Sequence, residues 1–92
     1  MPQTIWKFTV GFPTDSETIE MPRGAKILTT EMQHGHLRIW AMVDPRQEKV
    51  PRLIHIAGTG HDLSTRIMGE YVGSFYLDGG NLVFHVFDGG EV

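Results

Sequence analysis

The chain has no cysteine, which excludes disulfides, thiolate metal sites and a cysteine nucleophile and leaves no sign of an oxidising compartment. No stretch approaches the ~18 apolar residues of a membrane-spanning helix. The opening residues, MPQTIWK, lack the basic start and apolar core of a secretory leader. A soluble cytoplasmic protein is expected. Positive charge is also sparse, with eight Lys and Arg against eleven Asp and Glu and a formal net charge of −3. Nothing therefore draws the chain to a duplex phosphate backbone, and the acids are too scattered among Lys and Arg to imitate one. Its 92 residues suffice for one domain, 1–92, with a modest core.

What the chain does contain is strand material. Residues 71–87, YVGSFYLDGGNLVFHVF, are two runs of aromatic and β-branched residues around Asp78-Gly79-Gly80, where glycines supply the positive φ of a tight reversal. Residues 4–10, TIWKFTV, alternate with Trp6, Phe8 and Val10 on one face and Ile5, Lys7 and Thr9 on the other. A short extended piece, 18–21, ends at Pro22 and suits a sheet edge. AKILTTEMQ and HLRIWAMVD face each other across Gly35 as a second hairpin, and the latter is apolar on both faces, as an interior strand would be.

Residues 44–49 are the most polar run and are expected as an exposed loop before a strand over 52–58. One or two helical turns are expected between Asp62 and Gly69, with Asp62 or Ser64 as cap. Residues 88–92 are expected to fray. The fold class predicted is mainly β: a small antiparallel barrel or sandwich of six or seven strands with at most one short helix. Self-association would protect its open edges.

Chemistry has few footholds. Gly58-Thr59-Gly60-His61-Asp62 runs from a strand into a loop, and glycines there permit either a sharp turn or the close approach of backbone N–H groups to an anion. The spacing matches neither a phosphate-binding P-loop nor a dinucleotide fingerprint. His34, His36, His55, His61 and His85 show no i, i+3 or i, i+4 pair of a zinc site, so no metal or other cofactor is expected. His55 and His85 are expected to be part-buried strand residues bonded to a neighbour. No nucleophile elbow or paired-carboxylate set is present, and no catalytic residue is assigned. Arg38 and Trp40 share one strand face and could neutralise and stack on a nucleotide, with Arg52, Arg66 and Tyr71 as further candidates. A small-ligand site would thus draw on Gly58, Thr59, Gly60, His61, Arg66, Arg38, Trp40 and Tyr71.

The ordered segments TIWKF, IEMPRGAKIL, LRIWAMVDP, HIAGTGHDL and GSFYLDGGNLVFHVF, spanning 4–87, resemble a family of small uncharacterised domains encoded by bacteriophages, prophages and some bacterial genomes. The resemblance carries no active site to transfer. It implies an accessory role in the host cytoplasm: a non-enzymatic inhibitor that blocks a host defence protein. The alternative is a binder that sequesters a nucleotide or other phosphorylated messenger through Gly58–His61.

Overall fold

The computed structural model describes residues 2–92. Seven strands follow one another: β1 (Thr4–Val10), β2 (Ser16–Pro22), β3 (Lys26–Gln33), β4 (His36–Val43), β5 (Lys49–Gly58), β6 (Glu70–Leu77) and β7 (Leu82–Glu91). They form two antiparallel sheets, β1-β4-β3 and β2-β5-β7-β6. The sheets pack face to face without closing into a barrel, so the architecture is a sandwich. No helix is long and apolar enough to cross a membrane among the described residues.

Alternation decides which side chains enter the core. From the three-stranded sheet come Val10, Leu37 and Ile39; from the four-stranded sheet come Ile54, Ile56, Phe75 and Val86, all buried. Met21, Ala25, Ala41 and Val43 form a second cluster, against which Trp6 and Phe8 pack. Burying these side chains contributes about 1.5–3 kcal/mol for each of the larger ones. β4 is the interior strand expected from its two apolar faces: Leu37, Ile39, Ala41 and Val43 are buried, while Arg38, Trp40 and Met42 face outward and stay partly covered.

The two hairpin reversals match the glycines. His34 and Gly35 (φ 52° and 80°) join β3 to β4, and Asp78, Gly79 and Gly80 (φ 52°, 63° and 94°) make the 3-10 turn between β6 and β7.

Three local expectations are overturned. No helix forms over 62–69, because this segment is not a simple turn. β5 and β6 lie parallel with β7 between them, so residues 59–69 must travel back along the sheet and across it. A short helix at about 1.5 Å per residue covers half the distance of extended chain. Its second half is fixed at two points: Arg66 Nη2 donates to the Asp15 carbonyl at 2.9 Å beside β2, and Gly69 lies against the Asp88 carbonyl of β7. Asp62, proposed as a helix cap, instead closes a local turn by accepting the Ser64 N–H at 2.9 Å.

Residues 88–91 do not fray. β7 continues through Glu91 past a bulge at Gly89, since Asp88 finds a partner in Arg52 and the Val92 N–H reaches the Pro51 carbonyl. Lastly, the polar loop is shorter than expected. Strand β5 begins at Lys49, and Asp44 is buried with its carboxylate accepting from the Arg46 N–H and guanidinium.

Candidate functional site

At the end of β5 the chain folds back on itself. The Gly58 N–H donates to His61 Nδ1 at 3.1 Å, the His61 N–H donates to the Gly58 carbonyl at 3.1 Å, and the Thr59 N–H donates to the Val83 carbonyl at 3.0 Å. A Cβ on Gly58 would stand 2.9 Å from the imidazole, so glycine is what lets the ring lie over the strand end. Gly60 takes φ +88°, a conformation that other residues rarely adopt. Three of the loop's N–H groups are therefore engaged inside the protein. These glycines shape a turn in which the N–H groups of Gly58, Thr59 and His61 bond within the protein.

His61 stands between two concavities. One, of about 310 Å³, has Phe12, Ile56 and Phe84 as apolar lining and Thr14, Asp15 and His61 as polar lining. The other, of about 330 Å³, runs past Thr59, Asn81, Leu82 and Phe84. Phe84 underlies both; it meets Phe12 edge-on at 5.2 Å and stacks on Phe75 at 5.5 Å. Since Nδ1 of His61 accepts from Gly58, the ring's neutral form carries its proton on Nε2.

A second cluster occupies the outer face of the four-stranded sheet. His85 on β7 is bonded on both ring nitrogens: Thr59 Oγ1 lies 2.7 Å from Nε2 and Tyr71 Oη 2.7 Å from Nδ1. A neutral imidazole has one donor and one acceptor, so one hydroxyl gives it a proton and the other receives one. The arrangement has the nucleophile–base order of a hydrolase. The Thr59 amide itself donates to the Val83 carbonyl. The effect of the arrangement is to tie the 59–69 connection to β6 and to fix the Tyr71 ring. The sequence places Thr59 and Tyr71 among candidates without linking them. The missing signal is register: Ser74 pairs with His85 and Tyr71 with Phe87, which brings these side chains to one face.

His55 is on the same outward side, opposite Phe87. Burial and the nearby Arg66 charge together push its pKa below the usual imidazole value, and its buried Nδ1 has no hydrogen-bond partner. The connection passing over this half of the sheet buries Met68 yet leaves Ile67 93% exposed. Beyond it Tyr71 is 57% and Tyr76 62% exposed. Ile67 on the connection and Tyr71 and Tyr76 on β6 are thus exposed apolar and aromatic side chains, with the exposed acids Asp62, Glu70 and Asp78 on the same part of the chain.

The remaining candidates lie elsewhere. Arg38 and Trp40 face outward from the three-stranded sheet, on the opposite side of the sandwich from Tyr71. Arg38 Nη1 donates to Thr9 Oγ1. Trp40 lies on the outer face of the three-stranded sheet, whereas the Gly58–His61 turn closes the end of β5 in the other sheet. Arg52 is consumed by Asp88, Glu91 and the Ala25 carbonyl. No group of three or more His, Asp or Glu that could hold a metal ion occurs among the described residues.

The model of a family described as a domain of unknown function (DUF7352) matches residues 1–91. The chain belongs to this family. No curated protein and no solved structure matches it. The DUF7352 match takes in both sheets and the 59–69 connection, and with them Ile67, Tyr71 and Tyr76.

Proposed function

We propose that this DUF7352 domain is a non-enzymatic binding protein that occupies a surface of another protein through Ile67, Tyr71 and Tyr76. The observation that carries the reading is Ile67. An isoleucine 93% exposed beside a buried Met68 leaves its whole apolar surface in water, on a connection held at Asp15 and Asp88. Tyrosines beside such an anchor give large, rigid contact area at small entropic cost, the composition of interface centres. In the setting that the resemblance to phage-encoded domains implies, the partner is a host protein of the cytoplasm whose activity the domain blocks. Capture from host lysate with the native chain and with an Ile67→Asp/Tyr76→Asp variant tests this. Enrichment of the same proteins by both chains, with the variant folded, refutes the surface.

The alternative reading, a small-ligand binder, rests on the 310 Å³ concavity beside His61, which reaches the lower end of ligand-pocket sizes. Its contact groups are His61, Asp15, Phe12 and Phe84, with Arg66 at the rim through its bond to the Asp15 carbonyl. Arg38 and Trp40 have no part in it. A thermal-shift screen against nucleotides and sugar phosphates separates the readings, because a ligand that binds only the folded state raises the melting temperature.

A further inference from the structure

We infer that the domain pairs with a second copy of itself along β1, edge to edge, to make a continuous six-stranded sheet. This rests on the strand edges and is independent of the surface assigned above. Four strands are edges: β1 and β3 in one sheet, β2 and β6 in the other. Proteins protect such edges with prolines, bulges, charges or a covering segment. β2 carries Glu17, Glu20 and a terminal Pro22. β3 is interrupted at Leu28 by a register shift and carries Lys26 and Glu31. β6 has a register shift at Val72, and its Gly73 lies against the Thr30 methyl of β3. β1 has none of the backbone devices: all seven residues pair with β4 in unbroken register, and Lys7 is its single charge.

The side chains along this edge are incompletely covered. Trp6 and Phe8 point toward the core and pack on its second cluster, yet both remain partly exposed. Ile5, on the opposite side of the strand, is 55% exposed. A further strand beside β1 would extend the sheet over the rims of both rings.

The second copy is the occupant that the strand's own pattern fits, and the pattern also selects a register. An antiparallel two-fold pair must set inward residues opposite inward residues, because side chains alternate between faces. Centring on Lys7 would place two ammonium groups directly opposite each other, a destabilising pairing. Centring on Phe8 sets Phe8 opposite Phe8, Trp6 opposite Val10 and Lys7 opposite Thr9. Every inward pair is then apolar and no like charges meet. The interface is isologous and closes at two copies.

The absence of cysteine from the chain makes the test direct. A Phe8→Cys variant places two thiols across the two-fold, at the cross-strand spacing that a disulfide spans. Mild oxidation is expected to convert it to a covalent dimer, whereas a Thr18→Cys control on β2 remains monomeric. Light scattering of the unmodified chain, from low micromolar to submillimolar concentration, is expected to give a mass rising toward twice 10.4 kDa. Replacing Thr9 by Glu, opposite Lys7 of the second copy, should tighten the association, and Thr9→Lys should loosen it. A native chain that stays at 10.4 kDa throughout overturns the inference. So does a dimer that Phe8→Cys fails to trap while its circular dichroism melt shows it folded.

Discussion

Arg52 holds Asp88 with two parallel hydrogen bonds, Nε to Oδ1 at 2.9 Å and Nη2 to Oδ2 at 2.7 Å, and both side chains are nearly out of water. The same guanidinium donates to the Ala25 carbonyl and lies 3.8 Å from Glu91, which accepts the Gly24 N–H. One side chain thus joins β5, the end of β7 and the turn before β3. It accounts for the ordered C-terminal strand.

Removing one partner leaves the other charged and uncompensated. Asp88→Ala should cost about 3 kcal/mol in urea unfolding, at the lower end for a buried pair because some solvent reaches it. Arg52→Met combined with Asp88→Leu should recover most of that loss. Burial pushes the Asp88 pKa upward, but the bonds from Arg52 and the Gly90 N–H outweigh it and the net direction is down. A depressed carboxylate pKa stabilises the fold above the unfolded value of about 3.9 and loses that stabilisation as pH falls through the folded value. Acid unfolding of the native chain should therefore include a step that Asp88→Asn lacks.

His55 gives a separate pH dependence at milder acidity. Its pKa is lowered, first by burial and then by Arg66, so the unfolded chain binds the proton more readily than the folded one. Stability should be full above the ordinary value of 6.5 and decline as pH drops below it. Melting temperatures between pH 7.5 and 5 check this, and His55→Gln should flatten the curve in that interval.

Gly69 has φ +87°, and an added Cβ would lie 2.1 Å from the Asp88 carbonyl oxygen. Gly69→Ala must displace either β7 or the connection, and it should destabilise more than the same change at Gly60, where nothing stands within 4 Å. A difference of at least about 1 kcal/mol is expected, in line with the usual cost of strain.

Thr59→Val and Tyr71→Phe each remove one bond to His85 and should cost about 1 kcal/mol or less, since both groups are exposed. Their effects should not add. Both act through one imidazole, so a double-mutant cycle should return a coupling energy.

The strands were legible because alternation and glycine placement are local properties. Trp6, Phe8 and Val10 stand at period two, and Gly35 and Gly79 stand at the reversals, so strand identity and both hairpins follow from the sequence. The connection 59–69 was not legible. Its conformation follows from β7 inserting between β5 and β6, a non-local choice that turns helix-forming residues into a crossing segment. The candidate site was half legible for the same reason. Gly58, Thr59, Gly60 and His61 are contiguous and visible as a turn, whereas the bond from Thr59 through His85 to Tyr71 depends on strand register. Arg38 and Trp40 were correctly placed on one face, but which side of the sandwich that face occupies is set by packing and cannot be read from alternation.

The proposed binding surface is tested most directly by a photocrosslinking side chain introduced at position 67 and, separately, at position 5 on the other sheet, with irradiation in cells that make the protein. The account predicts a discrete crosslinked partner from position 67 that disappears with Tyr76→Asp. Products that are the same from both positions, or that survive Tyr76→Asp unchanged, would contradict it.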